Sequence, residues 1–418
     1  MPLAGVGKEL NFEAAIEQGL IDQGWEKRIN ADYDRDLCLD PEKVINFIIA
    51  TQPEEWEKLK AQHGDDVRDR FLKRLSGEIA KRGVLKVLRD EFKDTGARFR
   101  LAYFKPSSGL NEEIQRLYGA NSFTVMRQVH YSEANENSLD MVLFLNGIPI
   151  FTVELKSKLN GQTVEDAIWQ YRKDRDPKEP LFHLGRCLAH FAVDNDLAYM
   201  TTKLEGTKTF FLPFNRGFHG GAGNPPLVDD HATAYLWKDV WTRDSVLHLI
   251  DRFCADFMET QEDGKRKRKV IFPRYHQRDA VQSLVTDTRA GGPGQRYLIQ
   301  HSAGSGKSNT IAWLALQLST LHDDDDRRVF DSIIVITDRR ILDRQLQTTL
   351  GNFITTKGVL ENIDKTSRQL KEALEGIVTL TGVSADIRFD FFQVAALAFS
   401  HTLNASVRNL LNVGLLSK

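Results

Sequence analysis

Apolar residues recur at helical spacing through the first hundred positions of the chain. Phe12, Ile16 and Leu20 lie at i, i+4 and i+8, which predicts a helix over residues 11–21. The helical pattern continues from about residue 34 to residue 93 with a break near Gly83, and the predicted helices are Pro41–Ile49, Pro53–Ala61 and Val67–Phe92. Mixed acidic and basic residues on the outer positions indicate a solvated helical insertion rather than a site.

The pattern changes to strand-like alternation near residue 123. Asn146-Gly147, a strong signal for a hairpin turn, separates two apolar runs, Ser138–Leu145 and Ile148–Leu155. The other predicted elements are strands at 123–131, 188–193, 198–202 and 209–214 and helices at 164–173 and 235–258, with a glycine- and proline-rich loop at 217–226.

Helices and strands alternate in the last third of the chain. The predicted elements are helix 277–288, strand 297–300, helix 309–320, strand 332–337 and helix 341–350. This order is typical of a parallel sheet with helical crossovers. A basic run at 264–269 precedes it and is interpreted as a solvated connector, with contact to DNA phosphates as the alternative.

A phosphate-binding loop follows the predicted strand 297–300. The segment Gln300-His301-Ser302-Ala303-Gly304-Ser305-Gly306-Lys307-Ser308 opens a predicted helix. Glycines let backbone N–H groups curl around an anion, and a helix N-terminus adds partial positive charge. The lysine can reach the β- and γ-phosphates of a nucleotide, and the serine can hold Mg²⁺. The general pattern has glycine where this chain has His301.

Two carboxylates and a lysine mark the open end of the predicted hairpin. Asp140 lies on the first strand, and Glu154 and Lys156 follow one face of the second. The two carboxylates and the Leu155 carbonyl form a set of hard oxygen ligands suited to Mg²⁺, and the lysine can position a water. A surface hairpin with a salt bridge is the alternative. The apolar run that leads into Glu154 favours a functional site, because burying a charged group is costly unless the group is paired or binds a metal.

Two further polar groups flank the phosphate loop. Gln277 could pair with the edge of adenine, and a polar residue at a helix start is an equal alternative. Arg339, after the predicted strand 332–337, could touch a DNA phosphate; an ordinary helix-start loop is the alternative.

The composition is that of an ordinary soluble globular chain. The 418 residues are 41% hydrophobic and 27% charged, with a net charge of −2, so a nucleic-acid surface must be a local patch. The three cysteines form no Cys-x-x-Cys pair, which argues against a zinc ribbon and fits a reducing cytosol. We expect neither a signal peptide nor a membrane span.

Together these motifs resemble the restriction (R) subunit of bacterial and archaeal type I restriction-modification enzymes. The resemblance rests on Asp140 with Glu154-Leu155-Lys156, Tyr275-His276-Gln277, the loop 300–308 and the segment 337–345. It implies an α/β chain in which a PD-(D/E)xK-type nuclease precedes a superfamily 2 motor of RecA-like lobes. His301 is usual in this family. The resemblance implies ATP and Mg²⁺ as cofactors, and double-stranded DNA and the methylation (M) and specificity (S) subunits as partners.

The resemblance also implies roles for individual residues. The catalytic residues are Asp140, Glu154, Lys156 and Gln170; the nucleotide-binding residues are Gln277, His301, Gly304, Ser305, Gly306, Lys307 and Ser308; and the metal ligands are Asp140, Glu154 and Ser308. The expected domains are the endonuclease at 1–262 with a helical insertion at about 34–110, a basic linker at 263–272, the first motor lobe at 273–375 and an atypical tail at 376–418.

Two departures from the family pattern are visible. The family often has tyrosine four residues after the glutamine, where this chain has Asp174. No Asp-Glu-x-His box occurs in the sequence, and from Gly376 onward, including residues 395–400, the expected α/β pattern does not continue. Three hypotheses follow: an R subunit that translocates and cuts DNA, a DNA-dependent ATPase or remodeller without nuclease activity, and a truncated subunit that docks without catalysis.

Overall fold

The structure is a computed structural model, and it describes residues 6–106, 111–260, 263–302, 304–337, 347–351, 369 and 394–399. The chain divides into two compact units, with the division between His276 and Gln277. The first unit contains the helical N-terminal region and the predicted hairpin. The second contains the phosphate loop. Among the described residues, no helix combines the length and apolar content that a membrane span requires.

The first unit is built on a seven-stranded mixed sheet in the order β1-β4-β5-β6-β7-β8-β9. Its strands are β1 Glu26–Arg28, β4 Phe123–His130, β5 Ser138–Leu145, β6 Ile148–Leu155, β7 Ala189–Val193, β8 Ala198–Thr201 and β9 Leu212–Pro213. The pairs β1–β4 and β6–β7 are parallel, and the other neighbours are antiparallel. Two antiparallel ribbons accompany it, β2 Phe92–Asp94 with β3 Ala97–Phe99 and β10 Ala255–Thr260 with β11 Arg266–Ile271.

The first unit also contains helices. They are α1 Val6–Asp22, α2 Pro41–Thr51, α3 Pro53–His63, α4 Val67–Arg82, α5 Val84–Arg89, α6 Glu112–Gly119, α7 Val164–Lys173 and α8 Arg243–His248. Short 3₁₀ turns lie at Asn30–Asp32, Gly64–Asp66, Lys158–Asn160 and Pro180–Phe182, and π-helical turns at Leu236–Val240 and Leu249–Phe253. The predicted helices at 11–21, 41–49, 53–61 and 164–173 are confirmed, as is the break at Gly83.

The two faces of the sheet have different neighbours. Thr152 of β6 contacts Tyr171 of α7, whereas Phe151 packs edge-on against Phe191 and Phe272. Because successive residues of a strand point to opposite faces, α7 covers one face and an aromatic cluster covers the other. Glu154 lies two residues after Thr152 on the same strand, so its side chain points to the face that α7 covers.

The predicted helix 235–258 is wrong in its last turn, because residues 255–258 begin strand β10. Cys254 is already extended, with φ −65° and ψ 146°. The strand places Asp256 beside Arg268, whose Nε donates to Asp256 Oδ1 at 2.8 Å. Buried partners therefore override helical spacing at this point.

Most of the basic run at 264–269 is strand β11, paired with β10, so it is more than a connector without regular structure. All of its residues except Arg268 are exposed, as expected of a solvated segment. Arg268 also donates through Nη2 to the Arg82 carbonyl at 2.8 Å. A Cβ on Gly83 or on Gly185 would collide with this guanidinium. One arginine of the run is thus a packing element, and its neighbours Lys267 and Lys269 stay exposed.

The second unit contains α9 Tyr275–Gly291, which begins in the first unit, α10 Lys307–Leu318 and the parallel strands β12 Ser332–Thr337 and β13 Val394–Phe399. Helix α9, helix α10 and strand β12 agree with the prediction. The predicted helix 341–350 and Arg339 fall mostly outside the described residues; residues 347–351 are helical.

Two expectations for this unit are wrong. Residues 297–300 have no strand structure, and Leu298 is 95% exposed, because no described strand pairs with this segment. The α/β pattern was also expected to stop at residue 376. Instead, β13 pairs in parallel with β12, because a six-residue apolar run is long enough to form a strand.

Candidate active site

A tight turn and a register shift between Leu143 and Phe144 together bring the two predicted carboxylates into line. Asn146 and Gly147 have φ of 51° and 78°, the positive values that a two-residue hairpin turn needs. The Asn146 side chain is fully buried and donates to the Leu101 carbonyl at 2.8 Å. Met141 pairs with Val153 across the hairpin, so Asp140 and Glu154 are the next positions along the two strands.

Asp140 is fixed by the neighbouring strand. Its Oδ2 accepts a hydrogen bond from the Leu155 amide at 2.7 Å, and Lys156 Nζ lies 3.9 Å from the same oxygen. The Lys156 amide donates to the Val193 carbonyl at 2.9 Å, which extends the parallel pairing past the end of β6. The structure therefore brings Asp140, Glu154 and Lys156 to one end of the hairpin, as the spacing predicted.

The backbone opposite Asp140 is unusual. Gln128 has φ of 50° in the middle of β4, and the ladder pairs Arg127 with Met141 and Val129 with Leu139 but omits the position between them. The side chain of Gln128 is held at both ends, since Nε2 donates to Glu13 at 3.0 Å and Oε1 accepts from Ser138 at 3.1 Å. A left-handed residue in a strand is a local strain of a kind often found at functional sites.

Glu154 is completely buried and is held by one cation. Arg175 Nε donates to Glu154 Oε1 at 2.6 Å, while Oε2 has no hydrogen-bond partner among the described residues. Burial raises the pKa of Glu154 well above that of an ordinary carboxyl, and the Asp140 charge adds to the rise. Arg175 opposes both effects, and Lys156 opposes them less. Such a shifted group beside a second carboxylate is typical of functional sites.

Helix α7 adds two polar groups to this face of the sheet. Gln170, predicted to be catalytic, is partly buried, and its Oε1 has no hydrogen-bond partner in the described part of the chain. Tyr171 is buried, and its phenol oxygen lies 2.7 Å from Thr152 Oγ1. Thr152 in turn lies 2.7 Å from His190 Nδ1.

Sequence reasoning missed Arg175, Thr152 and His190. Arg175 follows the end of a predicted helix, where a basic residue is common, so its position gave no sign of a buried ion pair. His190 lies in an apolar strand, and only the parallel pairing of β6 with β7 places it opposite Thr152. These contacts join residues far apart in the chain, and local periodicity does not report them.

The donor atoms fit a divalent cation of the magnesium type. Glu154 Oε2 and Gln170 Oε1 are buried oxygens without hydrogen-bond partners among the described residues, and Asp140 supplies a second carboxylate. In the described part of the chain no three His, Cys, Asp or Glu side chains form a metal-binding group. A cation here must therefore complete its shell with amide, carbonyl or water oxygens, which is usual for Mg²⁺.

The second unit holds the phosphate loop at the start of α10. Gly304 and Gly306 have φ of 72° and 82°, which glycine adopts without strain. Lys307 Nζ donates to the carbonyls of His301 at 3.1 Å and Ser302 at 3.0 Å. The lysine is thus folded back over its own loop, where a phosphate can replace the two carbonyls.

Gln277 braces this loop from α9. It is 3% exposed, and its Nε2 donates to the carbonyls of Ser305 at 3.1 Å and Gly306 at 3.0 Å. A Cβ on Gly306 would lie 2.5 Å from that nitrogen. The adenine contact expected of Gln277 stays a prediction, and its observed role is to fix the loop.

The remaining loop residues differ in their exposure. Ser305 is buried, and Ser308 is half-buried in the first turn of α10. Partial burial lowers the pKa of His301, and the nearby Lys307 charge lowers it further. A neutral His301 leaves Lys307 as the principal positive charge of the loop.

The sequence matches two family models. Residues 13–209 match the model for the type I restriction enzyme R protein N terminus, and residues 276–385 match the SWI2/SNF2 ATPase model. The first match contains Asp140, Glu154 and Lys156. The second contains the phosphate loop and runs ten residues past position 375, where the resemblance was expected to end.

Individual relatives agree with the first model. The chain is 22% identical over 357 residues to the type I restriction enzyme SauCOLORF180P endonuclease subunit of Staphylococcus aureus (strain COL), covering 81% of this chain and 33% of the relative. It is 24% identical over 412 residues to the putative type I restriction enzyme MjaVIIIP endonuclease subunit of Methanocaldococcus jannaschii, covering 88% and 36%. The chain thus spans about a third of the length of these relatives.

Proposed function

We propose that this R-subunit-like chain supplies the nuclease region and the nucleotide-binding part of the motor of a type I restriction enzyme. In this proposal the first unit is a PD-(D/E)xK-type nuclease and the second is part of a RecA-like lobe. The whole enzyme moves along double-stranded DNA at the expense of ATP and cuts unmodified DNA with Mg²⁺. The M and S subunits are its partners.

The observation that carries the proposal is the hairpin end at Asp140 and Glu154. Lys156 Nζ lies 3.9 Å from Asp140, and beside this pair Glu154 is buried and paired with Arg175. Removing these charged groups from water costs free energy that a purely structural role does not explain. Two carboxylates can hold a divalent cation against a phosphate, and the lysine can orient a water or offset developing charge. The match of residues 13–209 to an R protein N terminus supports the same chemistry.

The SWI2/SNF2 match taken alone fits the second hypothesis, a DNA-dependent ATPase that does not cut. Such a motor has no use for two carboxylates and a lysine at the end of a hairpin in a separate unit. The hairpin therefore favours a nuclease, and the two hypotheses differ in whether Glu154 is needed for cleavage.

Glu154→Gln in a full-length R subunit carrying this region, assembled with M and S subunits, tests the nuclease. The variant should lose cleavage of unmodified DNA and keep ATP turnover, because the two sites lie in separate units. The matched control is Glu165→Gln, an exposed glutamate on α7. Normal cutting by Glu154→Gln would refute the nuclease assignment.

Lys307→Ala in the same assembly tests the motor. Loss of the ammonium group removes the main phosphate contact of the loop, so ATP turnover, translocation and cleavage should all disappear. Triplex displacement measures translocation, and linearisation of a plasmid measures cleavage. ATP-dependent cleavage that persists in this variant would contradict the proposed coupling.

A further inference from the structure

Arg175 is a buried arginine just beyond the end of α7. Its side chain is 4% exposed, and burying a guanidinium stabilises a fold only when its donors find good partners. Asp174 caps the helix, so Arg175 belongs to the segment that leaves it. The hairpin end must therefore supply the partners.

Its donors join the two strands that carry the carboxylates. Nε donates to Glu154 Oε1 on β6 at 2.6 Å, and Nη2 donates to the Ser138 carbonyl on β5 at 2.7 Å. The guanidinium also lies over the ring of Tyr131, 5.6 Å from its centre. Three contacts, to β6, to β5 and to the Tyr131 ring, hold the guanidinium, and the held guanidinium positions the carboxylate of Glu154.

The two oxygens of Glu154 are treated differently. Oε1 is taken by Arg175, whereas Oε2 is buried and has no hydrogen-bond partner among the described residues. We propose that Arg175 is a positioning residue: it holds Glu154 by one oxygen and leaves the other to bind the divalent cation. This inference rests on the proposed nuclease function, and it goes beyond it by assigning a role to a residue outside the predicted site.

The alternative is that the guanidinium competes with the cation for Glu154. The geometry favours positioning, because Arg175 contacts one carboxylate oxygen and is held independently by Ser138 and Tyr131. A group anchored in this way need not leave when a cation arrives. The two ideas predict opposite effects when the arginine is removed.

Titration of the 418-residue chain with Mn²⁺ alone tests the proposal. The wild type should show a site that Glu154→Gln removes. Arg175→Met should bind Mn²⁺ at that site about tenfold or more weakly, the usual effect of losing a group that orients a metal ligand. Arg175→Lys should lie in between, since an ammonium can replace one of the two hydrogen bonds but not both.

The matched control is Arg172→Met. Arg172 lies on α7, is half-buried and donates through Nε to the Thr209 carbonyl at 3.0 Å rather than to a carboxylate of the site. Its loss should leave Mn²⁺ affinity unchanged. Calorimetry gives the affinity and the number of sites, and circular dichroism shows which variants are folded. If Arg175→Met does not fold, Arg175→Lys carries the test.

The outcomes distinguish the positioning role of Arg175 from the proposed nuclease function on which it rests. Wild-type affinity in both Arg175 variants would overturn the positioning role while leaving the nuclease proposal intact. Tighter binding in Arg175→Met would show competition and would also overturn it. A wild type without a site sensitive to Glu154→Gln would refute the metal site and, with it, the inference.

Discussion

Thr152 Oγ1 lies 2.7 Å from Nδ1 of His190, and both side chains are buried on adjacent parallel strands. The hydroxyl also lies 2.7 Å from the phenol oxygen of Tyr171. This network lies two positions before Glu154 on β6 and ties helix α7 to the strand that carries the candidate active site. The His190 imidazole of this network is buried, and burial disfavours its protonated, charged form.

His190 makes the stability of the first unit depend on pH. Burial lowers its pKa from 6.5 to about 3. Between these values the unfolded chain binds a proton that the folded chain does not. Above pH 6.5 His190 is neutral in both states and does not reduce the free energy of unfolding. As the pH falls from 6.5 toward 3, the free energy of unfolding decreases by about 1.4 kcal/mol for each pH unit.

Urea unfolding between about pH 7 and pH 4.5 measures this slope. His190→Gln should flatten it, whereas His219→Asn should not, since His219 is an exposed histidine in the glycine-rich loop. Equal slopes in wild type and His190→Gln would contradict the assignment of the proton to His190.

Gly147 shows how closely the hairpin turn meets helix α2. Its φ is 78°, and a Cβ there would lie 2.5 Å from the Asp40 carbonyl and 2.7 Å from the Val44 amide. Gly147→Ala should destabilise the unit by about 2–5 kcal/mol, the sum of a left-handed alanine and a collision with rigid backbone.

Gly161→Ala separates these two costs. Gly161 has a similar φ of 74° but no described atom within 4 Å of the position that a Cβ would take, so only about 1–2 kcal/mol is expected. Denaturant melts of both variants give the comparison. Equal destabilisation would show that the contact with α2 contributes nothing.

The hairpin was predictable because several local signals agree. Two apolar runs flank Asn146-Gly147, and the strands formed with the predicted bounds, Ser138–Leu145 and Ile148–Leu155. The two-residue turn fixes the first pairs of the hairpin, Leu145 with Ile148 and Phe144 with Pro149, and on its own it would place Asp140 opposite Val153. A register shift between Leu143 and Phe144 moves the later pairs by one residue and brings Asp140 opposite Glu154. The turn was therefore predictable, whereas the shift that completes the site was not. The glycine-rich loop and the helix after it were predictable from local signals as well.

The sequence did not reveal contacts that depend on distant partners. Residues 255–258 have helical neighbours but form a strand, since Asp256 pairs with Arg268 across a ribbon. The π-helical turn at Leu249–Phe253 was also invisible, because Val246, Leu249, Ile250 and Phe253 follow the spacings of three and four residues that an α-helix shows. The pair Arg175–Glu154 joins a loop to a strand, and no periodic pattern records it.

Gly306 and Gln277 should be coupled in nucleotide binding. Gly306→Ala places a Cβ 2.5 Å from Gln277 Nε2, and Gln277→Ala removes both hydrogen bonds that this nitrogen gives to the loop. Each variant should weaken binding of a fluorescent ATP analogue about tenfold or more. The double variant should be little worse than either, since both changes break one interaction.

Gly292→Ala is the control for backbone strain in this unit. Gly292 has φ of 67°, and no described atom lies within 4 Å of the position that a Cβ would take. Its nucleotide affinity should match that of the wild type. Strictly additive losses in the Gly306/Gln277 double variant would show that the two residues act independently.

The 418-residue chain should bind MgATP through Lys307 but turn it over slowly. Hydrolysis needs an acidic group that holds Mg²⁺ and orients water, and arginines that stabilise the charge of the transition state. The sequence contains the phosphate loop and no Asp-Glu-x-His box. We therefore expect a steady-state rate well below about 1 s⁻¹, with or without double-stranded DNA.

Lys307→Ala serves as the baseline, because it removes the phosphate contact and leaves any contaminating ATPase. A DNA-stimulated rate on the order of 1 s⁻¹ that disappears in Lys307→Ala would show that other residues of this chain supply the missing acid.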